Sequence, residues 1–367
     1  MSYNQIATPR AYTCYMQRML ANGWRESSHI TAVRTDGATF SLTQGNLMDL
    51  FDMKPQRYIQ IPAATDEFYI QIDTGMGTEA FGESNFIAIM GHNFALADCE
   101  FKVEVSDNST FTGTLSDGSS AVSIVSDDDY SGHTKLINAA ASGTNDEYIN
   151  AAGNGWSLFT YNDSATTGNR YARITFRNPA GATTAFDTDV YIGAILYGEY
   201  HDFNTPVSIG AEYSKEFDGT QISTSVGGSE YANTTNFGAP MWAASPWMMN
   251  FDSTSVNTGA TTSGRPYYFY DAVGRRNLSL DFNHALDTDL FPVNEYSSNT
   301  DENYDSADET TQFFNRILGK HAPVLFSIDN TSTNENDYGL YRLVNDFRAK
   351  QIATSRFNYK VNLRESW

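Results

Sequence analysis

The stretch that most constrains this chain runs from Tyr171 to Tyr197, where a half-buried strand pattern is followed closely by a fully apolar one. In Tyr171–Phe176 the residues alternate, so Ala172, Ile174 and Phe176 face one way and Tyr171, Arg173 and Thr175 the other. Asn178, Pro179, Ala180 and Gly181 then supply a turn. Val190–Tyr197 is apolar on both faces apart from glycine, which suits a strand buried between two layers. The pair reads as the last hairpin of a β-sandwich, and Gly198–Phe203 as the passage into a second domain.

At 367 residues the chain exceeds one ordinary core, so two domains are expected. Composition supports an all-β architecture: Asn, Ser, Thr and Gly disfavour helix interiors, while 22 Tyr and 23 Phe provide ample material for cores. That aromatic content also separates the chain from disordered acidic sequences. The net charge of -21 repels phosphate backbones and anionic bilayers, which argues against nucleic acid as a partner. No apolar run is long enough to span a bilayer as a helix, and the first ten residues lack a secretory pattern, so a cytoplasmic origin is expected. Two cysteines, Cys14 and Cys99, can form at most one bridge and make no zinc site.

Residues 1–54 read as an N-terminal extension of helix and strand. Thr8 can cap a short helix with Pro9 in its first turn and Gly23 beyond its end, giving a stripe of Tyr12, Tyr15, Met16, Met19 and Leu20. Tyr12–Tyr15 is also β-prone, so a strand there is the alternative. From residue 55 to 203 the pattern is that of a sandwich. Phe86–Met90 reads as a buried strand, Gly91–Asn93 as a turn, and Glu100–Ser106 as a strand with Phe101, Val103 and Val105 inward. His92 has no second histidine or carboxylate at short spacing and reads as a turn residue bonded to backbone. Asp127, Asp128 and Asp129 lack the alternate spacing of a calcium loop and read as a solvated turn.

Three of these segments, Phe86–Phe94, Arg170–Phe176 and Val190–Glu199, occur in an order that resembles the galactose-binding-like (discoidin-type) jelly-roll sandwich found as a module in tailed-bacteriophage tail and baseplate proteins. The resemblance covers about half of the chain. It implies a structural virion component whose partners are copies of itself, other tail proteins and tail fibres. Carbohydrate-binding members of that fold place their sugar site in loops at one end; no loop residue here maps onto such a site.

Residues 204–367 read as a second antiparallel β domain with one packed helix over 310–319. Thr310 caps that helix, Phe313, Phe314, Ile317 and Leu318 form its stripe, and Gly319 ends it. Arg275–Phe282 reads as a strand with Leu278, Leu280 and Phe282 on one face. Asp281, His284, Asp287 and Asp289 are the nearest approach to acid–base or metal chemistry, but no second histidine stands at ligand spacing. Trp242, Trp247, Met248 and Met249 crowd into one short run and read as a subunit interface. Arg275 and Arg276, a basic pair in an acidic chain, suit an acidic partner surface.

No residue reads as catalytic, and no cofactor or metal is expected. The sequence therefore points to a non-enzymatic component of a tailed-phage virion, assembled in the host cytoplasm, that links subunits or anchors fibres. The alternative is a carbohydrate-binding or carbohydrate-active protein, in which exposed Tyr and Trp stack on sugar faces.

Overall fold

The computed structural model describes residues 8–14, 16, 29–54, 57–73, 85–106, 108–111, 122–123, 135–141, 148–151, 155–160, 170–217, 220–234, 274–291 and 310–366. The first half contributes β1 (Arg10–Cys14), β2 (Ile30–Arg34), β3 (Ile59–Ile61), β4 (Phe68–Asp73), β5 (Phe86–His92), β6 (Glu100–Ser106), β7 (Val122–Ser123), β8 (Lys135–Ile137), β9 (Ala139–Ala141), β10 (Ile149–Ala151), β11 (Gly155–Thr160) and β12 (Tyr171–Arg177). The second contributes β13 (Val190–Ile192), β14 (Ala194–Asp202), β15 (Glu212–Glu216), β16 (Thr220–Thr224), β17 (Glu230–Thr234), β18 (Arg275–Leu286), β19 (Val324–Ser327), β20 (Tyr338–Leu343), β21 (Ala349–Ala353) and β22 (Arg356–Glu365). The chain is mainly β, as its composition predicts.

An 11-stranded antiparallel sheet runs in the order β15-β18-β22-β20-β19-β1-β14-β5-β11-β8, with β21 paired to β22. A 7-stranded sheet, β2-β4-β12-β6-β10-β9 with β7 on β6, packs over the β14–β8 end and completes the sandwich. The core between them is aromatic: Phe101 of one sheet meets Phe159 of the other at 6.3 Å, and Phe68 stacks on Phe176 at 5.0 Å. The alternation read in the sequence holds here, because Ala172, Ile174, Phe176, Phe101, Val103 and Val105 all point into this core.

The hairpin expected from Tyr171–Tyr197 does not form. β12 lies between β4 and β6 in one sheet, whereas β14 lies between β1 and β5 in the other. The turn at Asn178–Gly181 is present, with the Gly181 amide donating to Asn178 O at 3.0 Å, but it leads into a crossover. The apolar run is itself split at Gly193, so that β13 pairs with β3 before β14 joins β5. β14 is buried on both faces: Ile195 and Tyr197 share the face of Phe159 that meets the second sheet, and Ala194 and Leu196 share the opposite face with Met90 and Trp156.

The N-terminal helix is also replaced. Residues 10–14 form the strand β1, between β14 and β19, with Arg10 opposite Asp202 and also opposite Ser327. Residues 17–28 lie outside the described residues. Both faces of β1 are covered, and a half-exposed helix could not satisfy that burial; tertiary pairing overrides the capping signals at Thr8 and Pro9. Tyr12 points to one face of the sheet, against Phe86, Tyr200 and Tyr338, while its neighbour Ala11 points to the other, into a second core built from Phe203, Leu280, Phe282, Phe313, Val361 and Leu363. By register Ala11 shares its face with His201, Tyr197, Ile87 and Phe159, the residue that meets Phe101, so the second core lies beside the sandwich core along one face of a continuous sheet. The chain does not leave the sheet at Gly198–Phe203, since β14 continues to Asp202.

The helix Thr310–Arg316 covers the second core, with Phe313 against Phe203 at 5.4 Å. It ends at Arg316, short of the expected 319: Leu318, at φ +54, and Gly319, at φ +65, are both left-handed, the Gly319 amide donates to Phe314 O at 2.9 Å, and Leu318 is exposed and leaves the stripe to Phe313, Phe314 and Ile317. Arg316 reaches back from the helix to Glu199 of β14. Cys14 and Cys99 are both buried and unbridged.

Candidate functional site

Two features of the second half present polar and apolar groups to solvent in a defined geometry. One is a groove at the end of β18. Leu278, Leu280 and Phe282 alternate inward, but then the register shifts between Phe282 and Ala285, so one extra residue is inserted against β22. His284 takes up the bulge with φ +63, a conformation costly for a residue with a Cβ. Three hydrogen bonds hold it: the His284 amide donates to Asn358 Oδ1 at 2.9 Å, Arg356 Nη1 donates to His284 O at 2.9 Å, and the Asn283 amide donates to Ser208 Oγ at 3.0 Å. The bulge and the 204–209 segment enclose an open groove of about 610 Å³, with Val207, Ile209, Leu286, His284, Asp289 and Arg356 among its lining residues.

This placement divides the acid–histidine cluster read in the sequence. His284 and Asp289 line the groove, whereas Asp281 lies 3.5 Å from Lys360 and Asp287 accepts from the Thr288 amide at 2.9 Å. Among the described residues no three acidic, histidine or cysteine side chains converge as metal ligands. The groove offers one imidazole, one carboxylate, one guanidinium and side-chain amides beside an apolar floor. That set brings hydrogen-bond donors, acceptors and apolar side chains to one surface.

The second feature is an arm. β15 forms one edge of the large sheet, with all five residues exposed. The chain then enters the two-stranded ribbon β16–β17, which pairs with itself alone among the described strands. Ile222 is 68% exposed, Tyr231 61%, and Val226, in the connecting turn, is fully exposed. Ile222 opposes Ala232 and Tyr231 opposes Ser223, so each face of the ribbon carries an uncovered apolar side chain. The turn is closed by Ser225 N to Ser229 O at 2.8 Å and Gly228 N to Ser225 O at 2.9 Å, with Gly228 at φ +82. At the root of the arm, Gly274 has φ +75, and a Cβ there would fall 2.9 Å from the Phe217 ring. Gly227 and Gly228 between two β-prone runs are the hairpin signal that the sequence carries for this arm.

The residues expected at an interface fare differently. Trp242, Trp247, Met248 and Met249 lie outside the described residues, as do Asp127, Asp128 and Asp129. Arg276 has an acidic partner within the chain: its Nε donates to Glu365 Oε1 at 2.9 Å and its amide to Glu365 Oε2 at 2.8 Å, and its Nη2 donates to Tyr338 O at 3.0 Å, while Arg275 Nη1 donates to the Glu365 backbone carbonyl at 2.8 Å.

His92 lies at the end of β5 rather than in a turn, and it is wholly buried. The Phe94 amide donates to its Nδ1 at 3.4 Å, so Nε2 carries the proton and donates to Ser157 Oγ at 3.0 Å; Ser157 in turn donates to Asn138 O at 3.1 Å. Burial pushes its pKa down to about 3, which keeps the ring neutral. Near the junction of the two halves, Lys135 donates to Asn330 O at 3.0 Å, and burial, with Arg10 nearby, lowers its pKa to about 8.

A third surface lies on the ribbon β3–β13, where the Tyr58 and Tyr191 rings sit 5.3 Å apart. Beside them Gln60 Nε2 donates to Asp189 Oδ2 at 2.7 Å, and Tyr58 OH to Gln44 Oε1 at 3.4 Å.

No family model matches this chain. No curated protein matches it either. Among solved structures it is similar to a Ruminococcus gnavus GH29 fucosidase mutant in complex with fucose, at 14% identity and a TM-score of 0.26, over 47% of this chain and 26% of that one. It is similar at 10% identity and a TM-score of 0.26 to the module CpGH89CBM32-4 produced by Clostridium perfringens, over 46% of this chain and 93% of the module. A chitosan-binding module from a Paenibacillus sp. IK-5 chitosanase/glucanase aligns at 13% identity and a TM-score of 0.24, over 46% of this chain and 92% of the module. The chain thus spans about a quarter of the fucosidase but nearly the whole of each binding module.

Proposed function

We propose that this protein is a non-enzymatic assembly component that joins copies of itself and neighbouring chains, and that its setting is the tail or baseplate of a tailed-phage virion. The observation that carries the first part is the β16–β17 ribbon. A two-stranded ribbon is marginally stable alone in water, and this one exposes Ile222, Val226 and Tyr231 with no described strand or helix beneath them. Such an arm gains its stability by laying those side chains on another chain. The Trp- and Met-rich run 241–249 follows the ribbon in sequence and adds interface-type residues to the same part of the chain. The setting rests on the resemblance carried by Phe86–Phe94, Arg170–Phe176 and Val190–Glu199.

The test is the mass of the purified protein by light scattering at several concentrations. A defined oligomer that Ile222→Asp combined with Tyr231→Ser converts to monomer, at unchanged melting temperature, is the expected result. A wild-type monomer at every concentration would overturn self-assembly.

A second reading, carbohydrate recognition, is favoured by the Tyr58–Tyr191 pair, whose rings and flanking Gln44, Gln60 and Asp189 combine a stacking surface with hydrogen-bond partners for hydroxyls. Glycan-array binding that Tyr58→Ala together with Tyr191→Ala abolishes would establish it.

A further inference from the structure

Building on the assembly reading, we propose that the turn Ser225–Ser229 of one copy seats in the groove between residues 204–209 and the β18 bulge of the next copy, head to tail. Charge permits this pair of surfaces. Copies of a chain with a net charge of -21 repel one another on average, so a contact is favoured where neither surface adds to that repulsion. The stretch Gln221–Ser229 contains no charged residue, and the groove balances Asp289 against Arg356. These surfaces can approach without that repulsion.

Shape and placement agree. The turn presents Val226 as a fully exposed apolar knob, followed by Gly227 and Gly228, which place no side chain beside it. The groove, at about 610 Å³, has room for a turn of such small residues and offers Val207 and Leu286 for the knob. It is held open by the bonded bulge at His284 and does not need to form on binding. Within one chain the two features do not meet: Val226 is free of contact, and the arm departs beside Glu216, opposite Arg275, at the far end of β18 from the bulge. About nine residues of strand, roughly 30 Å, separate them. Repeated head to tail, this contact builds a ring or a filament, whereas mutual exchange of arms between two copies would close a two-fold dimer, and the mass by light scattering separates the two.

Cross-linking tests the contact directly, because both native cysteines are buried. Val226→Cys and Ile209→Cys proteins are prepared separately, mixed, and treated with a short bismaleimide. The expected result is a covalent two-chain species at least tenfold more abundant in the mixture than in either protein alone. Equal cross-linking in Val226→Cys alone would mean that tips meet tips, and overturns the proposal. So would a single-chain cross-link in the double variant, which would mean that the turn folds back on its own groove. An oligomer by light scattering without any cross-link in the mixture overturns the seat while leaving assembly intact; a monomer at all concentrations removes both.

Discussion

Arg316 Nη1 lies 2.6 Å from Glu199 Oε2, and both side chains are almost completely withdrawn from solvent. The pair ties the helix Thr310–Arg316 to β14, so it joins the lid of the second core to a strand that also walls the first. Removing one member leaves a buried charge without its counter-ion. Glu199→Ala is expected to cost about 3–5 kcal/mol, read from urea unfolding. Replacing both, as Arg316→Met with Glu199→Leu, is expected to restore most of that loss. A double variant as unstable as the single one would refute the account.

His92 makes stability fall in acid. Its folded pKa, near 3, is below the ordinary value of 6.5, so between those limits the unfolded chain binds the proton that the folded chain refuses. Stability therefore rises with pH across that window, by up to about 1.4 kcal/mol per unit from this group. Denaturation midpoints from pH 7 down to pH 4 in wild type and His92→Gln should diverge, the variant having the flatter profile.

Lys135 acts at the other end of the scale. Its folded pKa, near 8, is below the ordinary 10.5, so the unfolded chain holds more protons between these values and stability rises with pH there. Tyr12, which burial raises to about 12, reverses the trend above pH 10. Cys99, whose thiol burial raises above its ordinary value of 9.0, opposes the rise from about pH 9, so the clean window is pH 8 to 9, and Lys135→Met should lose the upward slope within it when melting is followed across that range.

Gly274 sets the root of the arm. Gly274→Ala imposes a side chain at φ +75 and pushes on the Phe217 ring. A loss of about 1–2 kcal/mol follows from the backbone alone. Displacement of Phe217 should also weaken association, so light scattering and thermal melting should both change; a melting shift with unaltered association would detach the arm from assembly.

What was legible in the sequence is what depends on neighbours along the chain. β12 and β6 alternate because one face is core and the other half-solvated, and Leu278, Leu280 and Phe282 do the same in β18. The helix Thr310–Arg316 carries its own stripe and its own Gly319 stop. Pairing at long range was not legible. Nothing local in Arg10–Cys14 says that it will lie between β14 and β19, and nothing in Val190–Tyr197 says that its partners are β3, β5 and β1. Arg276 reads as a free cation until Glu365, 89 residues later, is seen to take it up. The groove was half legible, since His284 and Asp289 stood out as chemistry, but the bulge that presents them arises from Asn358, Arg356 and Ser208, which lie 72 or more residues away. The arm was missed because exposure of Ile222 and Tyr231 is a property of what surrounds them, not of their order.

The position of β1 governs when this molecule can be completed during its synthesis. Arg10 leaves the ribosome 317 residues ahead of one of its strand neighbours, Ser327. Until that residue emerges, β1 keeps an open hydrogen-bonding edge and Ala11 lacks the second core that covers it. The nascent chain therefore carries an unsealed edge while the intervening residues are made. Closure of so distant a pairing is slow, and during that wait the acidic surface is what holds unfinished copies apart.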